Sequence, residues 1–543
     1  MEAVSVSILL RYFSPLRLMG PLSDKELRVA SRRARNYALR AGYIVLLSIL
    51  VLWAWYSTVG AWSPKTAAGA SGASEVNAFV AGTIIWFQFV AAQLVAAIML
   101  SSSISDELSR GTLSTLMTTP IRSVHIIVGK LLGGLLQVVL LLAIGLPVLA
   151  ILRVQGGVPW DFVVAGFCIT LTAAVFVGAL SLWVSTYYRQ PCQAISAVAE
   201  AYFVFFLFLP IAMPVLAFLG VIESTMGQIV IEVTNPFWAL VRVSMHLQQP
   251  AAAGAGGFPW PIQCATLLGA TLLILCLAVW RLRRAALGDS PARAEKTRPI
   301  GRLRGSPVVW KDTGGRLFPW GRTDIAAAVA ALGTCGLIVV GTMPGAPVSE
   351  IYLRYLSLSF WFLVLLRLVL SVVGGVTREK ESGAWPILLT TPLGSGRIVR
   401  AKAVAALRQN MIPLLSAFVV QGCLLFRTAG LSSGSYVLYS VLYMIAPAFL
   451  VVSLGLYFGV RLRTTNMAAA ATIGTYLCLT MAGRVFQSVC FRLLWPPAAR
   501  YGGPTRVLLL LNSILVGGAI VLALALSGLL LWRACRNVRR YVF

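Results

Sequence analysis

The residues of this chain that could do chemistry are few and far apart. Only two histidines occur, His125 and His246, and the nine cysteines are scattered with no C-x-x-C pair and no metal-ligand spacing. The histidines therefore read as surface or interface residues. Cys276, Cys335 and Cys478 fall inside apolar runs and read as small packing residues. No paired acids and no Ser/His/Asp set are spaced for acid–base or nucleophilic work. A phosphate-binding loop needs Gly-Lys-Ser/Thr, so that backbone N–H groups and the Lys can hold phosphates. The only Gly-Lys here, Gly129-Lys130, is followed by Leu131 and enters an apolar run. The chain is expected to be no enzyme, with no catalytic residue, cofactor or metal of its own.

Charge is then the remaining source of chemistry, and it collects in two places. Arg367 (amid SFWFLVLLRLVLSVV), Arg484 and Glu200 fall within apolar runs. An unpaired Arg at the centre of a membrane helix costs about 2.5–3.5 kcal/mol. Arg367 is thus expected to pair with a span acid or carbonyl, or to line a translocation path, and Arg484 poses the same choice.

The second place is a repeated segment. ELSRGTLSTLMTTP at Glu107–Pro120 and EKESGAWPILLTTP at Glu379–Pro392 are offset by 272 positions, the distance from Thr118 to Thr390. Glu107, Gly111, Leu116, Thr118, Thr119, Pro120, Ile126 and Lys130 align without a gap on Glu379, Gly383, Leu388, Thr390, Thr391, Pro392, Ile398 and Lys402. Leu113, Leu116 and Met117 are spaced i, i+3, i+4, and so are Trp385, Leu388 and Leu389, which marks one face of a short helix. Gly111 and Gly383 are expected at the bend out of the preceding span. Thr119-Pro120 and Thr391-Pro392 look like an N-cap with Pro at N1 of the next helix. Glu107 and Glu379 are expected to pair with a basic group on a partner or on the chain's own rim.

The elements that must position these residues follow from composition. With 58% hydrophobic and 11% charged residues in 543, the chain carries more apolar surface than one soluble core can hide. The apolar residues come in blocks of about 20, the length of a helix crossing some 30 Å of hydrocarbon. The expected fold is an all-α polytopic membrane protein with about twelve transmembrane helices. Six spans are read at Ala41–Gly60, Phe79–Ser101, Lys130–Leu152, Phe162–Val184, Ala194–Val221 and Ile262–Trp280. Six more are read at Ile325–Met343, Leu356–Val376, Ala403–Phe426, Tyr436–Val460, Met467–Phe491 and Val507–Trp532. Pro210 and Pro214 predict a kink in the fifth.

The formal net charge of +28 lies between the apolar blocks rather than on one face, so it points to the membrane and away from nucleic acid. A cytoplasmic N-terminus assigns 35 of the 45 Lys/Arg to the cytoplasmic side, counting Lys130 and Arg408 near the inner ends of their spans, and 7 outside, with Arg367, Arg427 and Arg484 in or at the edge of spans. The positive-inside rule then makes the protein a multi-pass chain of the cytoplasmic (inner) membrane with both termini inside. The first forty residues show no cleavable secretory signal, and Ser23–Arg40 reads as an amphipathic helix. Residues 281–324, with eleven Lys/Arg against four Asp/Glu, read as a basic linker. It joins a first half, 1–280, to a second, 325–543. PLSDKE at Pro21–Glu26 and PVVWKD at Pro307–Asp312 share a spacing ahead of each half. Arg189 with Ala194 and Arg463 with Ala468 recur after the fourth and tenth spans. Equal span numbers make the two halves parallel repeats.

With the repeated segments between second and third spans, the chain resembles the type-2 ABC transporter permeases. Their signature is roughly E-x-x-x-G-T-L-x-x-L-x-x-T-P with a following I-x-x-x-K. The resemblance implies two six-span permease units fused in one chain, forming the transmembrane part of an ATP-driven exporter. It implies that the repeated segment is a coupling helix docking on a separate ATP-binding cassette subunit, itself a dimer, which would hold the ATP and Mg. It also implies that Ser23–Arg40 is a connecting helix, and that NPFWAL (Asn235–Leu240) and LWPPAAR (Leu494–Arg500) are re-entrant segments rather than plain loops. The second copy departs from the signature at Ala384-Trp385-Pro386, which predicts a shorter or distorted helix. Membrane lipid and an unidentified transported substrate complete the expected partners. The rival classes are a gradient-driven secondary transporter, which would want several mid-membrane acids where only Glu200 stands, and a non-transporting membrane scaffold.

Overall fold

The structure is a computed structural model that describes residues 34–59, 70–109, 111–112, 123–188, 190–218, 220, 223–248, 260–287, 306–314, 322–341, 350–429, 434–494 and 505–539. Outside them lie most of the Ser23–Arg40 stretch, Leu113–Pro120 of the first repeated segment, much of the linker, and LWPPAAR beyond Leu494. The described residues form helices and turns, with no strand among them. Residues 34–40 open the first long helix rather than closing a separate one.

The first nine helices are α1 (Ala34–Val59), α2 (Ala70–Ser109), α3 (Ser123–Val154), α4 (Trp160–Ser185), α5 (Pro191–Phe203), α6 (Leu209–Phe218), α7 (Ser224–Thr234), α8 (Pro236–Gln248) and α9 (Trp260–Leu287). The next nine are α10 (Pro307–Thr313), α11 (Arg322–Val340), α12 (Glu350–Glu381), α13 (Ala384–Thr390), α14 (Ser395–Gln409), α15 (Met411–Ala429), α16 (Gly434–Arg461), α17 (Thr465–Leu494) and α18 (Thr505–Asn537). Among the described residues ten helical stretches are long and apolar enough to cross a membrane, α14 and α15 make a bent eleventh, and Asp324–Val340 is a shorter apolar helix. Each expected span thus has its helix.

Two of the expected spans are built differently from a straight rod. The fifth runs over Cys192–Phe218 as one span, and its prolines are met by a π turn at Val204–Phe208 just before Pro210. A wider turn absorbs the carbonyl that a proline cannot serve. The ninth, read as Ala403–Phe426, is bent by 58° between α14 and α15. Pro413 has no N–H for the carbonyl of Gln409, and Asn410 closes α14 by donating through its own N–H and side-chain amide to Ala406 O (3.2 and 2.8 Å).

The chain packs as two compact units. One comprises Met1–Leu47, Gly69–Val198 and Glu232–Thr297; the other comprises Ser48–Ala68, Ala199–Ile231 and Arg298–Phe543. In the first, α4 is the central helix, packed by α2, α3, α8 and α9. Close approach is possible because the contacts are small. A Cβ at Gly166 would sit 2.8 Å from Ile85, and one at Gly178 2.8 Å from Leu100. Side-chain amides tie the same helices together. Gln88 Nε2 donates to Leu142 O (3.3 Å) and Asn77 Nδ2 to Gly156 O (3.0 Å). In the second unit, α12 is central, packed by α14, α15, α16 and α17.

Candidate functional site: the carboxylate-anchored segments at the ends of α2 and α12

Each repeated segment begins where a long helix ends, and in each a glutamate is strapped to a lysine 23 residues on. In the first unit Lys130 Nζ, from α3, donates to Glu107 Oε1 (2.7 Å) and to Ser103 O (2.8 Å). In the second, Lys402 Nζ, from α14, donates to Glu379 Oε1 (2.8 Å). Both lysines are buried, so their charge is tolerable only with the carboxylate beside it. Glu107 and Glu379 therefore pair with the chain's own lysines. Gly111 and Gly383 follow at φ +68° and +73°, the left-handed region where a Cβ is strained. There the backbone turns away from its helix.

The second unit adds two members to this strap. Lys311 Nζ, from the short helix α10, donates to the same Glu379 oxygen (2.9 Å), and Asp312 accepts from Lys402 (2.9 and 3.2 Å). Gln409 Nε2 closes the cluster on Asp312 O (2.8 Å). The hydrogen bond to Glu379 holds the Lys311 ammonium above the usual lysine range. Burial pushes the Asp312 carboxyl up, with Lys402 opposing. The neighbours of Glu379 brace the same helix end from the other side. Lys380 Nζ donates to Val460 O and to Leu462 O (3.2 Å). Glu381 accepts from Thr465 N (2.8 Å).

The segment itself is resolved into a seven-residue helix, α13, with Gly383 as N-cap and Pro386 in its first turn, where a missing N–H costs little. The apolar stripe does not all point one way. Trp385 is turned inward (1% exposed) with Lys380 Nζ 5.7 Å from its ring centre. Leu388 packs with Leu393 on Val308, Val309 and Ala401. Leu389 is half-buried, while Ile387 (70% exposed) and Thr390 face out. Ile387 was not in the expected stripe.

Thr391 and Pro392 also differ from the expected N-cap. Thr391 is the C-cap of α13, its hydroxyl donating to Leu388 O (2.6 Å), and α14 starts at Ser395 with Gly394 as N-cap. A threonine that serves a carbonyl ends a helix, whereas one that accepts an N–H starts it. The N-cap arrangement with Pro at N1 stands instead at Asn235-Pro236, where Asn235 Oδ1 accepts from Phe237 N (2.9 Å) and Trp238 N (3.3 Å). So Asn235–Leu240 opens a helix, α8, preceded by the short helix α7. Phe237 meets Phe89 edge-on at 4.9 Å between ring centres.

Inside the second unit Arg367, on α12, is held by two acids. Its Nη1 donates to Glu200 Oε1 (3.1 Å), and its Nη2 bonds Asp324 of α11. All three are largely buried. In the sequence Asp324 reads as the end of the linker, and the one signal of its role is its place opening the apolar run from Ile325. Arg484 is exposed on α17. Among the described residues no group of three or more His, Cys, Asp or Glu is placed to hold a metal ion.

Long apolar helices crowded on small residues, with charge confined to paired clusters, define a polytopic α-helical membrane protein. Residues 10–287, more than half of the chain, match the ABC-2 family transporter protein family, and the chain belongs to it. It is accordingly a membrane component of an ABC transporter. No curated protein matches the chain.

Proposed function

We propose that this chain is the permease of an ATP-driven exporter, and that a separate ATP-binding cassette subunit drives it by docking on the two repeated segments from the cytoplasm. The observation that carries this reading is the repeated strap: Glu107–Lys130 and Glu379–Lys402, each followed by a positive-φ glycine four residues after the glutamate. Crossing a membrane does not need the same ion pair at the same spacing twice, while two equal contacts suit a dimeric motor. The excess of Lys/Arg between the spans on one side supports the orientation. Two fused permease units, with the basic linker between them, fit the same picture.

In the second half the docking residue is Ile387, since Trp385 and Leu388 are committed to the chain's own packing. Burying an isoleucine is worth about 1.5–3 kcal/mol, or roughly ten- to a hundredfold in affinity. Ile387→Asp should therefore strip the ATPase from the purified membrane protein and leave the fold intact by size-exclusion profile. Co-purified ATP hydrolysis undiminished in that variant would sink the docking assignment.

A further inference from the structure

The last spans of the two halves end alike, in a motif that the proposed function does not use. LAVWRLRR at Leu277–Arg284 and LLLWRACR at Leu529–Arg536 share L-x-x-W-R-x-x-R. In α9 the Arg284 guanidinium lies 3.9 Å from the Trp280 ring centre, and in α18 Arg536 lies 4.5 Å from that of Trp532. Each ring is 55% exposed, and Leu277 and Leu529, one turn earlier, are exposed as well. Arg283, Arg284, Arg533 and Arg536 are all exposed. Neither helix contains an acid, and among the described residues no carboxylate pairs with these arginines.

A last-turn arginine also answers the helix dipole, but that explains neither the tryptophan nor the leucine at fixed distances below it. Read along the helix, the outward face passes from an aliphatic residue, through an amphipathic ring, to a guanidinium. That is the order of acyl chain, glycerol level and phosphate in a phospholipid leaflet, and Trp is the residue that sits at the headgroup level. Stacking occupies the face of the guanidinium and leaves its N–H fork for a phosphate, which it can engage with two bonds. The neighbouring helix α14 adds two cations in the second unit. A Cβ at Gly396 would meet Cys535 Sγ at 4.0 Å, and α14 carries exposed Arg397 and Arg400.

We propose that each of these two helix ends binds the headgroup of an anionic phospholipid, through Trp280 with Arg284 in one unit and Trp532 with Arg536 in the other. The proposal rests on the membrane reading of the chain but not on ATPase docking, so failure at Ile387 leaves it standing. The test is native mass spectrometry of the full chain in mild detergent, after exposure to phosphatidylglycerol or phosphatidylcholine. Two phosphatidylglycerol molecules should be retained in preference to phosphatidylcholine. Arg284→Gln or Arg536→Gln should each lose one, with retention falling about fivefold per arginine, and the double variant should lose both. Arg536→Lys keeps the charge without the planar fork and should fall between. Excess inorganic phosphate should not displace the lipid. Equal retention of both lipids, two phosphatidylglycerols on the double variant, or displacement by phosphate alone would each overturn the proposal.

Discussion

The helix after the repeated segment is one piece in the first half and two in the second. α3 runs unbroken over 32 residues and carries Lys130 as its one described ionic contact to the segment. α14 is a polar, amphipathic helix of 15 residues that turns by 58° into α15, and Lys402 sits in a four-member cluster with Glu379, Asp312 and Lys311. The sequence places Arg397, Arg400, Arg408, Gln409 and Asn410 where the first half has His125, Val128, Leu136, Gln137 and Val138. A shared ion pair therefore does not require a shared helix. What is kept is the link between the end of one span and the start of the next; what varies is how much else is tied to it.

The largest effect should come from breaking the clusters that hold more than one acid. Lys402→Met leaves Glu379 and Asp312 facing each other in a buried site with only the exposed Lys311 nearby, which should cost about 3–5 kcal/mol. Lys130→Met strands only Glu107, whose side chain is 29% exposed, and should cost clearly less. Thermal unfolding of both variants in detergent checks the order, and equal losses would mean that the two straps are energetically alike.

Arg367→Leu should rank with Lys402→Met, because it leaves Glu200 and Asp324 buried without their shared partner. Adding Glu200→Gln and Asp324→Asn should restore much of the loss. Restored stability with transport still absent would move Arg367 from a structural pairing to the translocation path.

Pro413→Ala should act on geometry more than on stability. Restoring an N–H at that position lets the ladder cross the α14–α15 junction, so spin labels at 397 and 420 should move apart as the bend opens. The stability change should stay within about 1 kcal/mol. An unchanged distance would assign the bend to Asn410 and to the packing of α14 on α10.

The smallest effect belongs to Lys311, whose side chain is 59% exposed. Lys311→Met should cost no more than about 1 kcal/mol near neutral pH. Its folded pKa is raised above the ordinary 10.5, so its contribution is complete below that value and is lost as pH rises through the raised one. Denaturation measured from pH 7 upward should show parent and variant converging only beyond the ordinary lysine range.

By itself the sequence determined the class and the landmarks. Blocks of about 20 apolar residues leave the backbone no economical choice in lipid but helices, and each of the twelve blocks holds helix among the described residues. The ungapped match of Glu107, Gly111 and Lys130 to Glu379, Gly383 and Lys402 marked the ends of α2 and α12, because a left-handed turn needs glycine and a buried lysine needs a carboxylate. Periodicity also found an apolar stripe on α13. Only tertiary structure decided which way that stripe faces, since Leu388 is equally apolar whether it meets Val308 and Val309 of α10 or a partner protein, and Trp385 whether it turns inward or outward. The same holds for Arg367, whose second acid lies 43 positions away at Asp324, and for Thr391, whose hydroxyl can serve a carbonyl or an N–H. Spacing along one helix is local, whereas the partner of a charge, a hydroxyl or an apolar face is fixed by whichever distant segment packs against it.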